Sequence, residues 1–195
     1  MAMIVAISGL SGCGNTTISD LVAKKLGLKK INYTLRDMAK EKGMAFEALH
    51  AKAETEFPAI DLELDKKLLS MASGDCVLGT RLAVWMVDSD LKVWVHASPR
   101  TRAKRIAERE GGKPDVKAVK ARDAANAARY RKLYGINVKK HEDVCDLEIN
   151  DEAISAEKAT EIIVAAARQL PFAKKKSKWP KKIRKVIDEK TKESR

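Results

Sequence analysis

The stretch Gly9-Leu10-Ser11-Gly12-Cys13-Gly14-Asn15-Thr16-Thr17 has the residue types that hold a phosphate. Its glycines let the chain fold back, so that successive N–H groups point at one anion. From Gly9 to Thr16 the spacing matches the phosphate-loop pattern G-x-x-x-x-G-K-[ST]. The apolar run Ile4 to Ile7 leads in. A helix is expected from Thr16 to Leu26, with its partly positive end on the same anion. Nucleotide contacts are therefore expected from Gly9, Gly12, Cys13, Gly14, Asn15, Thr16 and Thr17, with the Thr16 hydroxyl on Mg²⁺. The lysine of the pattern is Asn15 here; asparagine donates hydrogen bonds but brings no charge and a shorter reach. The bland alternative is a Gly-rich turn without a ligand.

An anion site that lacks its loop lysine needs cations from elsewhere. Arg102, Arg105 and Arg109 lie at i, i+3 and i+7, on one face of one helix. Arg122 and Arg129 share a face of the next helix, beyond the Gly111-Gly112-Lys113-Pro114 turn. Such a hairpin could close on phosphates, with Arg102, Arg105, Arg109 and Arg129 as a clamp, since guanidinium forks match phosphate oxygens. The alternative is a solvated charged face. Arg36 and Arg81 follow strand ends, where α/β sheets place ligands. Asp61 and Asp65, one turn apart, could accept from a base amino group or pair with Lys66 and other basic neighbours.

The elements that must position these residues alternate. Strands are expected at Met3–Ser8, Lys30–Tyr33, Cys76–Leu78, Leu91–Val95 and Leu147–Ile149. Helices are expected at 34–42, 45–56, 60–73, 82–86, 99–110, 115–134 and 155–170, several stopped by a glycine. In the last of these, Ile162, Ile163, Ala166 and Leu170 are expected to face inward. The pattern is an α/β parallel sheet flanked by helices, with a helical insertion over about 34–73 and a helical lid over about 99–134.

With 195 residues the chain is long enough for one domain with a real core, here 1–170. No apolar run approaches a membrane span, and no signal peptide is visible. Cys13, Cys76 and Cys145 are odd in number and far apart, which argues for a reducing cytoplasm. His50, His96 and His141 form no metal spacing with them. Of the net charge of +12, the tail from Lys174 onward carries +8, with eleven Lys and Arg against three Asp and Glu. This basic tail, residues 171–195, is expected to meet an acidic partner such as RNA, with Trp179 as a stacking surface. The alternatives are a mobile tail, or a helix docked on its own domain by Ile183, Val186 and Ile187.

The chain resembles the nucleoside monophosphate kinases, and among them the archaeal-type cytidylate kinases. The likeness rests on the loop, on Leu35–Met44, Ile60–Asp65, Arg81-Leu82-Ala83 with Trp85, Arg102–Gly111, Arg129-Tyr130 and Tyr134-Gly135-Ile136. It implies a P-loop fold, ATP with Mg²⁺, and CMP or dCMP as acceptor. It also implies Arg36 and Arg81 on the acceptor phosphate, with Asp65 as a further substrate contact, and Arg81, Arg105 and Arg122 around the transferring group. Three departures stand out: Asn15, Gly79-Thr80 where an acidic residue and glycine usually precede Arg81, and Ala124–Ala128 without its arginine. Removing one such charged group typically costs about 10²–10³ in rate. Two readings follow: a weak cytidylate kinase, or a lapsed kinase fold that binds nucleotide or RNA.

Overall fold

A computed structural model describes residues 3–170 and 177–193. Five strands, β1 (Ile4–Gly9), β2 (Lys29–Ile31), β3 (Cys76–Gly79), β4 (Leu91–His96) and β5 (Leu147–Asn150), form one parallel sheet in the order β2-β3-β1-β4-β5. Alternation along β1 divides its side chains between two cores. Val5 and Ile7 pack with Val93, Val95 and Ile149 under α1 (Asn15–Leu26) and α8 (Ala156–Arg168). Ala6 joins Leu78 and Trp94 on the other side, with the residues of the remaining layer. Burial on both faces explains why β1 and β3 are short, largely apolar runs, whereas the edge strands β2 and β5 carry exposed polar residues.

The helices begin and end for local reasons. α1 stops at Gly27, whose φ of 67° is the left-handed value that glycine adopts without strain. α2 (Leu35–Glu41) opens on a reciprocal capping box between Thr34 and Asp37. α3 (Phe46–Thr55) and α4 (Ala59–Met71) follow, with no strand among the three. After β3 come α5 (Ala83–Met86), then β4, then α6 (Pro99–Glu110), capped by Ser98 with proline in its first turn. Asp115 caps α7 (Val116–Tyr134), and Gly135 closes it. A 3-10 turn at Val138–Asp143, which the sequence does not announce, leads to β5.

One expectation needs correction, and one of the alternatives for the tail is met. Ile162 does not face inward; it is 45 % exposed, and α8 buries Ala159, Thr160, Ile163, Val164 and Ala167 instead. The stripe runs through 159, 163 and 167, which turns Ile162 to the outside. The tail, in turn, is a docked helix. α9 (Trp179–Glu193) buries Ile183 and Ile187 and packs on α4, α5 and α7. Trp179 is half-buried against the core, with Lys182 Nζ 4.9 Å from its ring centre, so the flat face expected for a base is occupied. Pro171 and Lys174–Lys176 lie outside the described residues.

Candidate functional site

The phosphate loop leaves β1 at Gly9 and enters α1 at Asn15. Three of its glycines have no substitute. A Cβ on Gly9 would run into Cys13 Sγ and the Val95 carbonyl. Gly12 has a φ of +83°, and its Cβ would meet the Arg102 carbonyl at 2.9 Å. Gly14, at +75°, faces Asp151, with Oδ2 2.5 Å from where a Cβ would stand. Gly14 is also the N-cap of α1 and offers no side-chain oxygen, which leaves the first helical N–H groups to a ligand. Thr16 and Thr17 are exposed and Asn15 is half-buried. Cys13 is turned inward. Its thiol donates to the Leu10 carbonyl at 2.7 Å, and burial pushes its pKa up to about 12, so it is a packing strut and no nucleophile.

The arginines expected as one clamp are divided among separate partners. Arg102 is buried and makes a bidentate pair with Asp123 of α7, at 3.2 and 2.7 Å; it also donates to the carbonyls of Ser11 and Ala97. These four bonds engage its guanidinium within the protein, where the expectation placed it on phosphate. Arg105 donates to Asp151 Oδ2 at 2.7 Å and to the Asp151 carbonyl at 3.2 Å, so this pair abuts Gly14. Burial raises the Asp151 pKa against the pull of Arg105, and its Oδ1 has no partner among the described residues. Arg109 and Arg122 both reach Glu110 at the end of α6, at 2.6 and 3.7 Å. Arg129 turns away from the loop. It donates to the Ala53 carbonyl and to Asp61 Oδ2, at 2.7 and 2.8 Å, beside the Phe57 ring.

Arg81 is exposed and lines a cavity with Gly9, Leu10, Ser11, Trp94, Asn126 and Tyr130. Its charge also acts on Asp61, Asp65 and Tyr130, so it lies near the α4 carboxylates as well as the loop. Neither carboxylate is paired with Lys66: Asp61 holds Arg129, and Asp65 Oδ2 accepts from the Tyr134 hydroxyl at 2.6 Å. Burial, with the nearby Asp61 charge, pushes the Asp65 pKa to about 7 against the Tyr134 hydrogen bond and Arg81. Arg36 is further out, stacked 3.9 Å over the Phe46 ring. Sequence reasoning missed Asp123, Asn126, Tyr130, Tyr134 and Asp151. The first three share the i, i+3, i+7 spacing of one α7 face, a signal that was available. Asp151 carries no such signal, because only the sheet brings it to the loop.

Among the described residues no His, Cys, Asp and Glu cluster could hold a metal, and no helix is long and apolar enough to cross a membrane.

The family model described as cytidylate kinase-like matches residues 4–153. The chain is 39% identical to the cytidylate kinase of Pyrococcus horikoshii over 188 residues, 93% of this chain and 97% of that one. It is 37% identical to a cytidylate kinase of Methanococcus maripaludis, covering 80% and 89% of the two chains. Among solved structures, the deoxyadenosine kinase of M. mycoides with bound dCTP superposes with a TM-score of 0.60 at 15% identity, covering 86% of this chain and all of that one. The shikimate kinase of Acinetobacter baumannii gives 0.59 at 16% identity, over 87% and 96%. At such identities the two structures support the P-loop kinase fold alone.

Proposed function

The chain belongs to the cytidylate kinase-like family, and from that premise we propose that it transfers the terminal phosphoryl group of ATP to CMP or dCMP. An oxygen of the monophosphate attacks the γ-phosphorus as the bond to the β,γ-bridging oxygen breaks, giving ADP and the diphosphate. Such a transfer depends on positioning and charge stabilisation more than on covalent chemistry. The loop backbone and the α1 N-terminus hold the donor phosphates. Thr16, exposed in the first turn, is suited to hold Mg²⁺ together with nucleotide oxygens. That ion, when bound, neutralises charge on the β- and γ-phosphates. Arg81 steadies the acceptor phosphate, with Arg36 at the outer edge. Asp65, aided by Tyr134, accepts from the cytosine amino group; uracil offers a carbonyl there instead.

One observation supports this reading: Arg81 lines the cavity beside the phosphate loop, and its charge acts on Asp61, Asp65 and Tyr130. On this reading one arginine serves the recognition elements of both substrates. The test is a coupled assay with ATP, Mg²⁺ and each monophosphate. CMP and dCMP should be preferred, and Arg81→Ala should lower kcat/KM by about 10²-fold. Failure on every monophosphate would overturn the proposal.

The departures at Asn15, Thr80 and Ala124–Ala128 favour a second reading, a lapsed kinase that binds nucleotide without turnover. Asn15→Lys separates the two. A weak enzyme gains rate when the charge returns, whereas a lapsed fold stays silent. The exposed Lys181, Arg184 and Lys185 of α9, with Lys178 just before it, leave an RNA contact open to the same protein. Binding that falls with salt and is lost in Lys181→Glu/Lys185→Glu would support that contact, and salt-independent binding would exclude it.

A further inference from the structure

Leu10-Ser11-Gly12-Cys13 is a turn closed by the Cys13 N–H on the Leu10 carbonyl at 3.2 Å. A positive φ at the third residue, +83° at Gly12, is the requirement of the type II form. Type I and type II turns differ chiefly in the flip of their central peptide, here the Ser11–Gly12 unit. The Ser11 carbonyl receives a hydrogen bond from Arg102 Nη1 at 3.1 Å. Because a trans peptide is planar, with C=O and N–H antiparallel, the Gly12 N–H must point away from Arg102. The guanidinium therefore selects which way one donor of the phosphate cradle faces. Gly12 itself is pressed against α6, at the Arg102 carbonyl and Ile106.

The same guanidinium is held by Asp123 of α7 through two parallel bonds, in a setting that leaves the arginine side chain only 4% exposed. A buried guanidinium is poorly placed without its carboxylate. Asn126, Ala127 and Tyr130 follow on the same α7 face and line the cavity beside the loop and Arg81. Ala127, being small, lets that face come close.

We propose that Arg102 is a positioning residue that sets the flip of the Ser11–Gly12 peptide, and that Asp123 makes this setting depend on α7 lying against the loop. The phosphate cradle then takes its binding shape when the lid is down and loosens when α7 lifts and Asp123 leaves. This builds on the kinase reading of the site, but its first consequence, the shape of the loop, needs no substrate.

The experiment follows the Cys13 amide by hydrogen exchange in the ligand-free full chain and measures binding of inorganic tripolyphosphate by calorimetry. In Asp123→Asn, Cys13 exchange should rise and tripolyphosphate affinity fall, each by about tenfold, the worth of one charge-assisted hydrogen bond. Amides in the middle of α8 should keep their wild-type rates. If those also speed up, the variant has loosened globally, and Arg102→Lys, which keeps the charge but not the fork, takes its place with the same expectation. Wild-type values for either readout in a folded variant overturn the proposal. A wild type that phosphorylates no monophosphate, yet shows the Cys13 response and weakened tripolyphosphate binding, would count against the kinase reading alone.

Discussion

Asp65 shows how a single carboxyl is tuned by its surroundings. Its value of about 7 lies well above the ordinary aspartate range. Below about pH 4 the folded and unfolded chains both keep the proton, and the site costs the fold nothing. Between there and about pH 7 the unfolded chain releases its proton first, so rising pH penalises the fold. Asp65→Asn should therefore raise Tm near pH 8, with the gain shrinking towards pH 4, and should raise KM for CMP by about tenfold. Thermal unfolding across that range, with kinetics at neutral pH, checks both. Gly14→Val should abolish ATP binding by forcing a side chain into Asp151 and an unfavourable φ; isothermal titration reads this directly. The glycine spacing was legible in the sequence because backbone conformation is a local demand. The fates of the arginines were not. Arg102, Arg105 and Arg129 find their carboxylates 21, 46 and 68 positions away, and no local pattern encodes such a pairing.

At the scale of elements, helix limits were largely readable. Gly27, Gly111 and Gly135 adopt left-handed φ at the ends of α1, α6 and α7, where the sequence places stops. What the sequence left open was the company each helix keeps. The α9 stripe allowed a docked helix or a free one, and docking prevails because Ile183 and Ile187 find apolar partners on the core. Removing such a side chain leaves a cavity, so Ile187→Ala should destabilise the protein by about 2–5 kcal/mol. Chemical denaturation should show a lower midpoint with an unchanged slope. Lys185→Ala, on the exposed side, should move it by less than about 0.5 kcal/mol.

Across the whole molecule, α9 joins regions that the sequence treats as separate. It packs on α4, on α5 and on α7. Residues 179–193 of the basic tail are thus part of the body that carries Asp61, Asp65 and Tyr130. Ligands that bind only the folded chain stabilise it by mass action, by about 2.7 kcal/mol at a hundredfold excess over Kd. A non-hydrolysable ATP analogue and CMP should each raise Tm, and Arg81→Ala should reduce the CMP effect more than the analogue effect. Equal losses for both ligands would indicate general loosening instead of a lost acceptor contact.

The inward-turned Cys13 gives the phosphate loop a chemical clock. The thiol fills the space that glycine leaves at position 9, and at a pKa of about 12 it is almost wholly protonated near neutrality. It is the thiolate that attacks an alkylating reagent and displaces its leaving group, so modification of Cys13 must wait for the loop to open. Its labelling rate then measures the frequency of that opening, residue by residue when read by mass spectrometry. A bound triphosphate should slow it, and so should anything that keeps the lid helix down.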